Sequence, residues 1–268
     1  MIANYHTHTF RCGHAALDDE RIYIENAIKA GFKHMGFSDH CPMPLPRGVN
    51  AGDCTKVLGV RMKLEETEGY VNSLLKFREE YKNDINIHIG FEVEYLPQTF
   101  DLLLDFIAEY PIEYLLLGQH FNGLTDDAWW FARETRSEDM LKNYVDLCIE
   151  AMKTGKFTYV AHPDLCRYFG YIEVYEREMR RLINCANEQK LPLEINFLGL
   201  HELRNYPNVQ FWQLANEIGC DVVFGSDAHW PENVCNELAL KHAQKMVESY
   251  PNLRLIENTK LISPINKQ

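Results

Sequence analysis

Short apolar runs rich in β-branched and aromatic residues alternate along this chain with longer stretches of helical periodicity. The runs predict strands over residues 2–5, 34–37, 86–91, 112–117, 158–161, 192–195 and 221–225. Apolar positions three and four apart predict helices over 17–30, 61–81, 97–109, 138–153, 171–189 and 208–218, with a last one over 232–248. Ser137 ahead of Glu138 and Asp139 reads as a helix start, and Gly31 after Ala30 as a helix stop. Seven β-α units in strict alternation predict an α/β fold whose parallel sheet curls into a closed or nearly closed barrel. No Pro/Gly/Ser-rich linker, low-complexity stretch or short internal repeat interrupts the pattern, so a single domain is expected over 1–268.

Composition narrows the class. With 268 residues and 46% hydrophobic content the chain can bury a full core. Its longest apolar runs fall far short of a membrane span. The first histidine pair follows Met1 so closely that no cleavable signal peptide is expected. The eight cysteines form no C-x-x-C pair, which predicts reduced, mostly buried thiols of a cytoplasmic protein. Cys12 and Cys41 lie beside candidate ligands and read as packing residues. A net charge of −12 without a Lys/Arg stripe argues against a nucleic-acid partner. It does not exclude a phosphate: three divalent cations, less the charges of Glu92 and Asp227, leave a pocket of about +4.

The candidate chemistry sits where the apolar runs stop. His6 and His8 close the first run, Glu92 the third, His120 the fourth, His162 the fifth, and Asp227 and His229 the last. His14 and His40 follow the first two runs on polar loops. Imidazoles and carboxylates hold divalent transition metals. In a parallel barrel the carboxyl ends of the strands carry the functional groups. His6 and His8 are two apart and project from one face, and Asp227 and His229 repeat that spacing on the last strand. Glu94 shares the strand parity of Glu92, and periodicity does not choose between them. The other histidines suit plainer roles. His34 starts its strand, His88 lies deep in one, His242 is on a late helix, and His201 shares a predicted loop with Arg204.

The segments Tyr5-His6-Thr7-His8, Phe37-Ser38-Asp39-His40, Gly90-Phe91-Glu92-Val93, Gly118-Gln119-His120, Ala161-His162-Pro163-Asp164 and Gly225-Ser226-Asp227-Ala228-His229 together resemble the motifs of the polymerase-and-histidinol-phosphatase (PHP) superfamily, in order and nearly end to end. Glu194-Ile195-Asn196, Leu203-Arg204 and Tyr206-Pro207 resemble its monofunctional histidinol-phosphate phosphatases. The resemblance implies a distorted (β/α)7 TIM-like barrel with three metal ions. It assigns His6, His8, Glu92 and Asp227 to the first ion. Glu92, His120 and His162 go to the second, and His14, His40 and His229 to the third. It also favours Glu92 over Glu94. Some relatives carry Asp where this chain has His14. Nitrogen and oxygen donors admit Mn, Fe or Zn.

Arg167, on the loop after His162, and Arg204, on the next, are candidates for the phosphate, because a guanidinium matches phosphate oxygens two at a time. Phe121, Trp129, Trp130 and Phe131 suit either a wall for a substrate ring or a packed lid. The expected activity is hydrolysis of the small-molecule phosphate monoester L-histidinol phosphate to L-histidinol and phosphate, in histidine biosynthesis. A hydroxide bridging two metals would attack, and Asp227 or His229 would hand a proton to the leaving alkoxide. The alternatives are a PHP phosphoesterase for nucleotides, oligonucleotide ends or phosphotyrosine, or a structural module. Amide or deaminase hydrolysis is disfavoured because no lysine stands at a strand end.

Overall fold

Every predicted apolar run forms a strand, and all the strands are parallel: β1 (Ala3–Asn4), β2 (His34–Phe37), β3 (Asn86–Val93), β4 (Tyr114–Leu117), β5 (Tyr159–Val160), β6 (Leu193–Asn196) and β7 (Cys220–Gly225). The computed structural model describes residues 1–265, so the last three residues of the domain expected over 1–268 lie outside the described residues. An eighth strand, β8 (Leu253–Leu255), pairs with the amino end of β7. The order around the sheet follows the chain from β1 to β8.

The sheet curls until its first and seventh strands meet at their carboxyl ends. Thr7 and Ala228 form an isolated parallel bridge, in which His8 N–H donates to Ala228 C=O at 3.0 Å. At the opposite end, the segment after β8 reaches Tyr5, whose hydroxyl donates to Asn258 Oδ1 at 2.6 Å. The distorted barrel therefore has seven strands around its rim and an eighth beside its base.

Nine helices are present among the described residues: α1 (Glu20–Lys29), α2 (Thr55–Leu58), α3 (Thr67–Glu80), α4 (Phe100–Ile107), α5 (Glu138–Lys153), α6 (Ile172–Gln189), α7 (Phe197–Glu202), α8 (Val209–Ile218) and α9 (Glu237–Ser249). Polar caps set several starts: the side chains of Asp19, Ser137, Asn208 and Asn236 accept backbone N–H groups of α1, α5, α8 and α9. The helix expected over 61–81 begins only at Thr67. Arg61 lies in the preceding turn, buried and bonded to the α2 carbonyl of Val57. The loop expected over 199–206 begins instead inside the short α7, which is capped by Asn196 and ends at Glu202.

Strand parity divides the core. Leu115, Leu117, Val160, Leu193, Ile195 and Val222 face outward into the main core shared with the helices. Ala3, Tyr5, Tyr114, Leu116, Tyr159, Ala161 and Val223 form a separate interior cluster. Tyr114 Oη donates to Tyr5 C=O at 2.8 Å across it. His88, Gly90, Glu92 and Glu94 share one parity along β3 and just beyond it, as Glu194 and Asn196 do on β6. The barrel axis is apolar at mid-height and carries carboxylates toward its upper rim.

Candidate metal centre

The structure brings all nine candidate ligands to the upper rim, seven of them buried, with His120 half-buried and His14 exposed at the mouth. Glu92 is at the middle. Its Oε1 lies 2.8 Å from His162 Nε2 and 3.6 Å from His120 Nε2. Its Oε2 lies 3.1 Å from His40 Nδ1, 3.5 Å from His6 Nε2 and 3.6 Å from His8 Nε2. Asp227 Oδ1 lies 3.1 Å from His8 Nε2 and 3.5 Å from His6 Nε2. His14, His40 and His229 form a further group, whose Nε2 atoms of His14 and His229 are 3.0 Å apart.

These donors fit cations better than one another. His6 Nε2, His8 Nε2 and Glu92 Oε2 are buried without a hydrogen-bond partner among the described residues, an arrangement that is costly unless something positive lies between them. Groups such as His6–His8–Glu92 and His14–His40–His229 hold their ligand atoms within 4.8 Å of one another, as ligands of one ion must be. Cys12 Sγ, read as packing, falls within that distance of His8 and His229.

The free protein's electrostatics show the same strain. Burial raises the cost of ionising Glu92, yet His120, His40 and His6 outweigh it and hold the carboxyl well below its usual range. Burial likewise opposes ionisation of Asp227, and His6, His8 and His229 overcome it. Burial holds His40 and His229 well below the usual imidazole range. Burial acts the same way on His6 and His8, but neighbouring carboxylates overcome it and raise both well above that range, so these two must shed a proton before they can ligate as neutral imidazoles.

A second ring of groups, whose bonds the sequence pattern does not reveal, orients the candidate ligands. Glu194 is fully buried, accepts His6 Nδ1–H at 2.7 Å and accepts His162 N–H at 3.0 Å. Asn196 Nδ2 donates to Glu194 Oε2 at 2.9 Å and Asp227 Oδ2 at 3.0 Å. Asp39 accepts Thr9 N–H at 3.2 Å and lies 3.5 Å from His8 Nδ1. Glu94 accepts His120 Nδ1–H at 3.1 Å and pairs with Arg61. Bonds at Nδ1 leave Nε2 of His6 and His120 free to ligate. Two signals point to them in the sequence: Glu94 and Glu194 lie on the inward face near strand ends, and Asp39, Glu194 and Asn196 fall within the motif segments.

Backbone geometry adds two marks. Among the described residues, four non-glycine residues have positive φ, and two of them are His162 (28°) and Asp227 (48°). Such strain persists where the surroundings over-determine it, commonly at functional sites. Gly118 and Gly225 are needed for space: a Cβ at either would overlap the carboxylate of Glu92 or Glu194 respectively.

A cavity of about 410 Å³ opens above the ligands. His14, His40, Glu92, His120, Asp227 and His229 floor it, and Arg204 lines its side. Arg204 is bonded to Glu202 Oε2 at 2.7 Å and to Tyr206 Oη at 2.9 Å. Phe121, Trp130, Val60, Leu165, Leu198 and Trp230 give the cavity an apolar wall, and Lys56 also reaches it. The four aromatics after β4 therefore divide. Phe121 and Trp130 are wall, Phe131 is core against Tyr144, and Trp129 stacks under Arg133.

Arg167, expected at the phosphate, is not brought to this cavity. Its backbone pairs with the segment after β4, N–H to Phe131 C=O at 3.0 Å and C=O from Thr135 N–H at 2.9 Å. That pairing leaves the side chain over Phe169, 3.9 Å from Glu134, in a separate shallow pocket. His201 and His242 are exposed, while His34 and His88 stack at the amino end of the barrel.

The family model for the PHP domain matches residues 4–197. A probable histidinol-phosphatase of Deinococcus radiodurans is 28% identical over 243 residues, 87% of this chain and 88% of that protein. The histidinol-phosphatase of Bacillus subtilis is 26% identical over 256 residues, 84% of this chain and 92% of that protein. Among solved structures, the histidinol phosphate phosphatase of Lactococcus lactis, crystallised with zinc, L-histidinol and phosphate, superposes with a TM-score of 0.66 at 17% identity. That match covers 98% of this chain and 97% of the other. A proposed histidinol phosphatase of Listeria monocytogenes superposes with a TM-score of 0.72 at 22% identity, over 89% of this chain and 99% of that one. No described helix is long and apolar enough to cross a membrane.

Proposed function

Because the chain belongs to the PHP domain family, we propose that it hydrolyses L-histidinol phosphate to L-histidinol and phosphate in histidine biosynthesis. The observation that carries the reading is the set of nine imidazole and carboxylate ligands beneath an apolar-walled cavity with one arginine at its side. The names of the Deinococcus and Bacillus relatives, matched over most of both chains, support the substrate.

The ligands divide as the motifs suggest. His6, His8, Glu92 and Asp227 would hold one ion, Glu92, His120 and His162 a second, and His14, His40 and His229 a third. Mn, Fe and Zn all suit these donors. Bound there, divalent ions would supply Lewis acidity toward phosphoryl oxygens and bring the ionisation of water toward neutral pH. Arg204 would turn from Glu202 to grip the phosphoryl oxygens as their charge develops. Asn196 fixes Oδ2 of Asp227 and so aims Oδ1 at His6 and His8. Asp227 or His229 would take up a proton from the attacking water and hand it to the leaving alkoxide. Phe121, Trp130 and Trp230 provide flat apolar surface for an imidazole and exclude water from the reacting group.

Steady-state rates on L-histidinol phosphate, nucleotides, oligonucleotide ends and phosphotyrosine test the reading. The expected result is a clear preference for histidinol phosphate in kcat/KM. Faster turnover of any of the others would transfer the same site to that substrate.

A further inference from the structure

We propose that Arg61 is a positioning residue for the metal centre, acting through Glu94 on His120. Arg61 lies in the turn after α2, distant in sequence from every strand end, yet its side chain is almost wholly buried. Its Nη1 lies 2.8 Å from Glu94 Oε2, and the other oxygen of that carboxylate accepts His120 Nδ1–H at 3.1 Å. His120 then directs Nε2 toward Glu92 Oε1, 3.6 Å away. The three side chains form one line of contacts from a surface loop to a ligand of the centre.

Arg61 also pins that loop. Its Nε donates to Val57 C=O at 2.7 Å, and Nη1 reaches Cys41 C=O at 3.4 Å. The adjoining Met62 N–H donates to His40 C=O at 3.2 Å. The loop therefore rests on the backbone of two consecutive residues, one of them the ligand His40. It also carries Val60 into the cavity wall, which Lys56 of α2 reaches as well. A guanidinium suits this task because its fixed fork can bond a carboxylate and two carbonyls at once, and an ammonium cannot do so in the same geometry. A partner that orients a ligating imidazole typically contributes 10- to 100-fold in metal affinity.

The inference rests on the reading of His120 as a metal ligand, and its test separates the two. Metal affinity is measured by competition with a chromophoric chelator on the purified chain, using Mn²⁺ and Zn²⁺ and no substrate. Wild type should bind tightly; if it binds no metal, the metal reading itself fails. Arg61→Met and Glu94→Gln should each weaken one equivalent of metal by about 10- to 100-fold. Arg61→Lys should fall between Arg61→Met and wild type. The metal concentration giving half-maximal activity should rise in the same order, with most of kcat recovered at saturation.

Affinity and stoichiometry unchanged in folded Arg61→Met would overturn the inference, as would a loss of thermal stability with no change at the metal. Should neither substitution fold, nitrogen-15 spectra of metal-loaded wild type still decide. His120, assigned by comparison with His120→Gln, should be protonated at Nδ1 and liganded at Nε2. The opposite tautomer would exclude the relay.

Discussion

Glu194 Oε1 lies 2.7 Å from His6 Nδ1, and neither side chain is reached by solvent. The carboxylate fixes the ring so that Nε2 faces Glu92 and Asp227. Glu194→Gln keeps the shape but presents an amide where a charged acceptor stood. Metal affinity should fall about 10- to 100-fold, with the fold retained. Equilibrium metal titration checks this, and an unchanged affinity would confine Glu194 to packing.

Exhaustive chelation should abolish turnover, and Mn²⁺ should restore it, with about three divalent ions per chain at saturation. Asp227→Asn should be inactive though folded, because Oδ1 faces two imidazoles and the charge, not the volume, is what they meet. Full activity with metals verified absent would falsify the metal mechanism.

The two arginines should now behave differently. Arg204→Met removes a charge-assisted contact at the cavity wall. The loss should be on the order of 3 kcal/mol, about a hundredfold in kcat/KM. It should be similar for histidinol phosphate and a plain aryl phosphate, since both present the same group. A loss confined to histidinol phosphate would place Arg204 at the other end of the substrate. Arg167→Met, outside the cavity, should leave both rates unchanged.

At the amino end of the barrel, Glu113 is held below the usual carboxylate range. Burial opposes this, but His88, the N–H of Ile89 and Arg78 outweigh it. A depressed folded-state value contributes stability above the unfolded value of 4.5 and loses it as pH falls below that. Glu113→Gln should therefore destabilise at pH 7, by no more than about 1 kcal/mol because the side chain is partly solvated. The difference should shrink below pH 4.5, as urea unfolding at several pH values will show. A constant difference across that range would remove the electrostatic cause.

Strand positions and the histidines at strand ends are legible in the sequence because both follow local rules, alternation and the stop of an apolar run. β8 is not, since three residues carry too little pattern. α7 is masked by a glycine and an exposed terminus. The direction of Arg167 depends on pairing with residues 131–135, more than thirty positions earlier, which no local rule contains. Glu194, Asn196 and Asp39 are visible as residues, but their bonds to ligands arise only when separate strands are brought side by side. The positive φ of His162 and Asp227 belongs to the same class, being imposed by neighbours.

The Thr7–Ala228 bridge joins residues from nearly opposite ends of the chain. During synthesis His6 and His8 emerge first and must wait for the last barrel strand before Asp227 and His229 can face them. Such a distant closure is slow compared with local pairing. A nascent chain thus exposes only fragments of the centre, and no fragment holds the full donor set. Metal capture becomes a late event, coupled to completion of the barrel, and choice among competing ions is made by an almost finished protein.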